Sequence, residues 1–335
     1  MTYSIPSQMQ AIQVQNPGKQ SQLHWQTVAV PRPETGQLLL KVAACGINRA
    51  DLMQRQGLYP PPVGDSEILG LEAAGTVVAV GDSSLLDYQG QRYFGLVNGG
   101  GYAEYVLMPA GQAMPVPQAW TMLQAAATAE TFLTAYQLLF TIGNATAGQR
   151  VLIHAGASGV GTSAIQLAKA KGLQVAVTVG AADKVSACLK LGADLAINYR
   201  QEDFAKVLHQ AWPEGAMLVL DPVAAAYTPQ NISVLAPDGK IIVYAMMGGR
   251  TVPELDLSVL FRKRGQIVCS TLRNRDLAYK SKLTAAFQHE FASFLNAGTI
   301  APLIQQYFAA TEVEAAHRLL ASNQTIGKLV LSFEP

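Results

Sequence analysis

The sequence predicts an α/β protein in two parts, a doubly wound parallel-sheet domain inserted into a compact, mostly antiparallel β domain. Three observations predict it. Between Arg150 and Lys171 an apolar run breaks into small residues and then into a helical pattern. From there to Gly249, apolar strands and helices alternate, which is the signature of a parallel sheet covered on both faces. Before about Gln124 the texture is instead one of short β runs punctuated by glycine and proline.

In chain order, the first region offers strands at Leu38–Val42, Gly75–Val80, Arg92–Val97 and Tyr102–Met108, separated by Pro60-Pro61-Pro62 and Gly99-Gly100-Gly101. The middle region opens with the strand Arg150–His154, a small-residue turn and the helix Thr162–Lys171. It continues through Gln174–Val179 (strand), Lys184–Leu191 (helix), Asp194–Asn198 (strand), Glu202–Gln210 (helix) and Met217–Leu220 (strand). A short helix around Asn231–Leu235 and the strand Lys240–Tyr244 complete it. The tail reads as a long helix over Asp276–Ala297, a strand at Leu303–Phe308 and a final strand at Lys328–Phe333. Between them Thr311-x-x-Glu314 reads as a capping box opening a helix through Leu320. A tail this small cannot bury its own apolar faces, so it is expected to return to the first domain. The expected boundaries are 1–127, completed by 272–335, and 128–271.

The turn after the Arg150–His154 strand carries the chemistry. Its spacing is Gly156-x-Ser158-x-x-Gly161 within Ala155-Gly156-Ala157-Ser158-Gly159-Val160-Gly161. Glycines let a backbone approach a pyrophosphate, and the free N–H groups and dipole of the following helix neutralise it. The central glycine of the usual fingerprint is a serine here, and glycine turns also join strands to helices for packing alone. An enzyme that uses NAD usually places an acid at the end of the second strand. That strand ends Thr178-Val179-Gly180-Ala181 without one, Lys184 follows, and the third strand ends Asn198-Tyr199-Arg200. Two cations and a phenol suit a ribose 2′-phosphate and favour NADPH. Lys184 and Arg200 also read as ordinary helix-flanking charges, and Asp183 keeps NAD open.

Composition sets bounds. Half of the 335 residues are apolar, ample for buried cores, and the net charge of +1 gives no electrostatic footprint for nucleic acid. No apolar run reaches ~18 residues, and Glu130 interrupts the most apolar helix, so no membrane span is expected. Met1–Gln10 does not read as a secretory signal. Three widely spaced cysteines, Cys45, Cys188 and Cys269, fit a reducing cytoplasm.

Several motifs occur together and in order: Asn48–Gly57, Leu69-Gly70-Leu71-Glu72-Ala73, Gly100–Tyr105, Ala155–Gly161, Ser270-Thr271-Leu272-Arg273 and Ile326-Gly327-Lys328. In these the chain resembles the medium-chain dehydrogenase/reductase superfamily, in its zinc-free quinone oxidoreductase branch, and within it the tumour-suppressor-inducible type. The resemblance implies a GroES-like β domain plus a Rossmann-type doubly wound parallel sheet. Zinc-dependent relatives hold a catalytic metal with a cysteine and a histidine, where this chain has Asn48 and Leu71. The remaining cysteines and the scattered histidines (His24, His154, His209, His289, His317) do not suggest a tetrahedral site, so no metal is expected.

The resemblance points to Asn48 and Tyr59 as the polar groups beside nicotinamide and substrate. Each also has a plain reading, Asn48 as a turn residue and Tyr59 as a loop tyrosine beside three prolines. For the cofactor it implies Thr134 and the helix it begins, residues Gly156 to Gly161 of the turn, Gly180, Lys184, Tyr199, Tyr244, Met247, Gly248, Gly249 and Lys328. Asp51 and Glu72 read as structural. The expected activity is NADPH-dependent, metal-independent reduction of quinones, ortho-quinones in particular, by direct hydride transfer. Two alternatives stand beside it: reduction of α,β-unsaturated carbonyls, with Tyr59 the sole acid legible in the sequence, and a non-enzymatic NADPH-binding redox sensor. The resemblance also implies a cytoplasmic homodimer paired through the edge strand Gln266–Thr271.

Overall fold

The computed structural model describes residues 4–334, which form two compact units. The first runs to Leu133 and resumes at Arg273, and the second is Thr134–Leu272. The expected boundary at 127/128 therefore shifts into a helix, because Ala129, Phe132 and Leu133 are buried with the first unit's residues.

The first unit opens with an antiparallel hairpin of β1 (Gln8–Gln15) and β2 (Gln22–Ala29). Its main sheet is organised by β3 (Gln37–Ile47), an eleven-residue strand that α1 (Arg49–Arg55) follows directly. β4 (Glu72–Val80), β5 (Arg92–Leu96), β6 (Tyr105–Pro109) and β7 (Ala113–Pro115) add antiparallel partners. The strand expected from Tyr102 begins at Tyr105, since Tyr102 instead donates its N–H to Leu69 and fills the core. Two helices follow, α2 (Met122–Ala126) and α3 (Ala129–Tyr136). Thr134 lies inside α3 rather than opening a helix, which corrects the expectation that it begins one.

The second unit alternates as expected: β8 (Arg150–His154), α4 (Gly159–Ala170), β9 (Gln174–Val179), α5 (Ala182–Lys190), β10 (Leu195–Asn198), α6 (Phe204–Ala211), β11 (Ala216–Asp221), α7 (Thr228–Val234), β12 (Leu235–Val243), α8 (Ser258–Arg262) and β13 (Gln266–Cys269). All six strands are parallel, in the order β10-β9-β8-β11-β12-β13. Val151, Leu152 and Ile153, and likewise Val175, Ala176 and Val177, have no exposed surface, because helices cover both faces. The chain reverses direction across the sheet between β8 and β11, where doubly wound sheets bind ligands at the carboxyl ends of their strands.

The tail returns to the first unit as α9 (Leu277–Asn296), β14 (Ile304–Ala309), α10 (Val313–Ala321) and β15 (Lys328–Ser332). Asp276 caps α9 by accepting from the Tyr279 N–H at 2.7 Å. β15 pairs antiparallel with β3, so the last strand completes a sheet begun near residue 37. The capping box expected at Thr311 and Glu314 does not form. Glu312 accepts from the Ala309 N–H at 3.1 Å, while Glu314 is drawn away into an ion pair with Arg55 at 2.9 Å.

Candidate active site

In the second unit, β8 delivers the chain to a turn closed tightly on itself. Ala155 adopts φ 53°, a left-handed conformation, and its carbonyl accepts from the Ser158 N–H at 2.9 Å. A Cβ on Gly156 would lie 2.6 Å from the Cβ of Val177, and one on Gly161 would lie 2.5 Å from the Gly156 carbonyl oxygen. Both glycines are thus required for closure. Ser158 caps α4, its hydroxyl accepting from the Gly161 N–H at 3.0 Å. Helix geometry leaves the first N–H groups of α4, those of Gly159 and Val160 among them, without intrahelical acceptors. Such N–H groups could cradle an anion, and Ala157 beside them in the turn is buried.

The carboxyl ends of β9 and β10 meet beside it. The Tyr199 N–H donates to the Val179 carbonyl at 3.0 Å, and a Cβ on Gly180 would lie 2.6 Å from the Tyr199 hydroxyl. The phenol therefore lies against Gly180. Lys184 is half-buried, and burial pulls its ammonium below the usual lysine range, with the Asp183 carboxylate opposing the shift and the Arg200 cation adding to it. Gly180, Lys184, Tyr199 and Arg200 are thus brought together. Asp183 turns back on its own helix, accepting from the Lys184 N–H at 2.8 Å. These residues could hold a nicotinamide dinucleotide, its pyrophosphate on the turn.

Beneath the turn lies a buried polar network that the sequence did not reveal. Asn231 donates through Nδ2 to Asp221 at 2.9 Å, which leaves its Oδ1 to accept from His154 Nε2 at 2.7 Å. His154 Nδ1 then accepts from the Thr178 hydroxyl at 2.8 Å. The other Asp221 oxygen accepts from the Val223 and Ala224 N–H groups at 2.7 and 2.9 Å. Burial holds the His154 imidazole neutral, down to about 4. The network ties the ends of β8, β9 and β11 to α7, and so fixes the strand end from which the turn departs. The following loop is tied to β11 as well: Met247 and Gly248 donate to the Pro222 and Val223 carbonyls at 3.0 and 2.7 Å. Gly249 takes φ 112°, Met247 is half exposed, and the half-buried Tyr244 donates its N–H to the Asp221 carbonyl at 3.0 Å.

In the first unit, Asn48 stands at the junction of β3 and α1, held on every polar atom. Its N–H donates to Asp51 at 2.8 Å, its Nδ2 to Glu72 at 3.0 Å, and its Oδ1 accepts from Lys328 at 2.6 Å. The Lys328 ammonium is itself buried among three oxygens, those of Ile47 at 2.9 Å, Asn48 at 2.6 Å and Glu72 at 2.7 Å. Its three donors are spent there, so Lys328 orients Asn48 instead of extending toward a cofactor. The second Glu72 oxygen accepts from the Glu130 N–H at 2.9 Å, and Cys45 donates its thiol to the Glu72 carbonyl at 2.9 Å. Asp51 also accepts from Gly70 N–H at 3.1 Å and from the Tyr102 hydroxyl at 3.3 Å, and burial pushes it up to about 6.

Tyr59 is half-buried, with the Arg273 guanidinium 5.1 Å over its ring and donating to its carbonyl at 3.2 Å. Arg273 in turn is held by Gln54 Oε1 at 2.6 Å. Burial and the charge of Glu130 push the Tyr59 phenol up, while Arg273 opposes them. Glu130, half-buried in the first turn of α3, is raised to about 7 by burial and by the neighbouring Glu72 carboxylate. The structure thus joins Asn48 to Lys328 and Glu72, with the Glu130 N–H on the same carboxylate, and holds Tyr59 against Arg273; sequence reasoning did not single out Glu130 or Arg273 as site candidates. Among the described residues no cluster of three His, Cys, Asp or Glu side chains is arranged to hold a metal, and no helix is long and apolar enough to cross a membrane.

Two family models match the chain. Residues 34–118 match the alcohol dehydrogenase GroES-like domain, and residues 159–288 the family described as zinc-binding dehydrogenase. The synaptic vesicle membrane protein VAT-1 homolog of Homo sapiens is 32% identical over 318 residues, covering 90% of this chain and 80% of that protein. The quinone oxidoreductase of Homo sapiens is 29% identical over 307 residues, covering 91% of each. A mycobacterial protein solved in complex with NADPH superimposes with a TM-score of 0.83 at 28% identity, covering 97% of this chain and 99% of that one. The two matched domains and the shared length make one conclusion: the chain belongs to the medium-chain dehydrogenase/reductase superfamily, in its zinc-free quinone oxidoreductase branch, and is an oxidoreductase.

Proposed function

We propose that this oxidoreductase reduces quinones, ortho-quinones in particular, with NADPH as the hydride source and without a metal. The observation that carries the reading is the environment of Lys328. Its ammonium occupies the oxygen cage of Ile47, Asn48 and Glu72, so the buried cation at this place is the chain's own. A site built this way offers no open Lewis acid to activate an alcohol, and suits an acceptor that is electrophilic without help. A quinone is such an acceptor, since hydride addition yields an aromatic hydroquinone anion. NADPH supplies the hydride when bound. The chain's residues orient: Asn48 is fixed by Asp51, Glu72 and Lys328, and Tyr59 is fixed by Arg273 to hydrogen-bond a substrate oxygen.

The preference for NADPH rests on Lys184, Arg200 and Tyr199 beside Gly180, with no acid at the end of β9. The human relative's name, quinone oxidoreductase, and the mycobacterial complex with NADPH agree with it. A homodimer paired through β13 draws support from that strand's place at the sheet edge, where Ile267 is 38% exposed. The three cysteines are all free thiols, which fits a cytoplasmic protein. A second reading, reduction of α,β-unsaturated carbonyls, is favoured by Glu130, because that reaction must also protonate carbon. Side-by-side oxidation of NADPH with an ortho-quinone and an enone decides between them. Faster turnover per unit concentration with the quinone is expected; faster turnover with the enone would replace the first reading by the second.

A further inference from the structure

Resting on the reading above, we propose that Glu130 is the general acid of this site, giving its carboxyl proton to the oxygen of the reduced substrate. Four carboxyl or phenol groups are candidates; hydrogen bonding removes two, and a third is in surroundings that disfavour release of its proton. Glu72 has both oxygens engaged, one by Asn48 and Lys328 and the other by the Glu130 N–H. Asp51 has no exposed surface and is consumed by Asn48, Gly70 and Tyr102. Tyr59 is made a weaker acid by burial and by the charge of Glu130 itself. Glu130 remains: half-buried, its carboxyl without a hydrogen-bond partner among the described residues, and close enough to Tyr59 to act on the phenol electrostatically.

Its backbone N–H on Glu72 Oε2 at 2.9 Å places two carboxyl groups side by side in one cluster. The Lys328 ammonium sits on Glu72 at 2.7 Å, whereas Glu130 makes no ion pair among the described residues, so Glu130 is the member of the pair placed to give a proton. The groups that face Glu130 are Glu72 on β4, Asp51 on α1, Lys328 on β15 and Lys280 on α9, with Tyr59 beyond. The two carboxylates favour its protonated form, and the two ammonium groups oppose them. The balance leaves it titrating at about 7, where an acid is both still protonated and ready to give its proton.

The step balances as quinone, NADPH and one proton giving hydroquinone and the oxidised cofactor. The quinone gains two electrons with the hydride. The Glu130 O–H bond breaks with its electron pair left on the carboxylate, the hydroquinone O–H bond forms, and water returns a proton to Glu130.

Infrared difference titration of the ligand-free chain between pH 5 and 9 reads Glu130 without activity; these pH limits are about two units either side of its titration at about 7. A protonated-carboxyl band that disappears near pH 7 in the parent and is missing in Glu130→Gln is expected. In turnover with an ortho-quinone, kcat of the parent should fall as pH rises through about 7. Glu130→Gln should be slowed about a hundredfold with that fall abolished, Glu130→Asp should restore it, and Tyr59→Phe should keep it at a lower rate. Glu130→Gln within twofold of the parent with its pH profile intact, or no such carboxyl band, overturns the assignment of Glu130 alone. A parent enzyme that oxidises no NADPH with any quinone overturns the quinone reading and the assignment with it.

Discussion

Lys328 and Glu72 form an ion pair at 2.7 Å with side chains 4% and 1% exposed, although the sequence separates them by 256 residues. Two charges taken out of water are tolerated only while each satisfies the other. Lys328→Met strands the Glu72 carboxylate and should destabilise the chain by about 3–5 kcal/mol in urea unfolding. Adding Glu72→Leu to it should recover part of that loss. A single Lys328→Met as stable as the parent would remove the ammonium from its structural role.

The pair of cations on α5 and after β10 gives a cofactor test. Lys184→Ala should raise the KM for NADPH about tenfold, the scale of one charge-assisted hydrogen bond, and leave the KM for NADH nearly unchanged. Equal effects on the two cofactors would show that the 2′-phosphate lies elsewhere.

The His154 network gives a stability test with a defined pH window. The folded imidazole is held down to about 4 from an ordinary 6.5. Above pH 6.5 both folded and unfolded forms are neutral there, and the contribution is complete. As pH falls from 6.5 toward 4, the unfolded chain takes up a proton that the folded chain refuses, so stability declines. His317, lowered to about 3 by burial, acts in the same direction. Asn231→Leu leaves His154 Nε2 and Asp221 Oδ2 without their partner and should cost about 1–3 kcal/mol at pH 7.5, by denaturant titration.

The serine in the phosphate turn is read structurally as a helix cap. Ser158→Ala should cost about 1 kcal/mol of stability through loss of the bond to the Gly161 N–H. Gly161→Ala, by contrast, forces a methyl to within 2.5 Å of the Gly156 carbonyl oxygen and should abolish nucleotide binding outright. Isothermal titration with NADPH on both variants separates the two roles.

Much of the second unit was legible because parallel strands buried on both faces read as plain apolar runs, and Gln174–Val179 appears with the ends the sequence suggests. The hairpin of β1 and β2 was not, since glutamines interrupt its apolar positions and Leu23 is its one buried residue on the second strand. Thr311 and Glu314 matched a local pattern that a distant arginine overrode. In the site, Asn48 and Lys328 were each legible from motifs, and the structure places them 2.6 Å apart with Lys328 facing inward. Glu130 read as a charge breaking an apolar helix, because the Glu72 carboxylate its N–H meets lies on β4, 58 residues away. Arg273 was visible as a motif letter, but its seat over Tyr59 is 214 residues distant.

The most direct test of the central claim is a single-turnover reaction of the NADPH-loaded enzyme with an excess of ortho-quinone, without oxygen, followed by loss of reduced-nicotinamide fluorescence. Replacing the transferred hydrogen at nicotinamide C4 by deuterium should slow that loss severalfold, because direct hydride transfer breaks that bond. Stable fluorescence from tightly bound NADPH in the presence of both the quinone and an enone would contradict the account and leave an NADPH-binding sensor in its place.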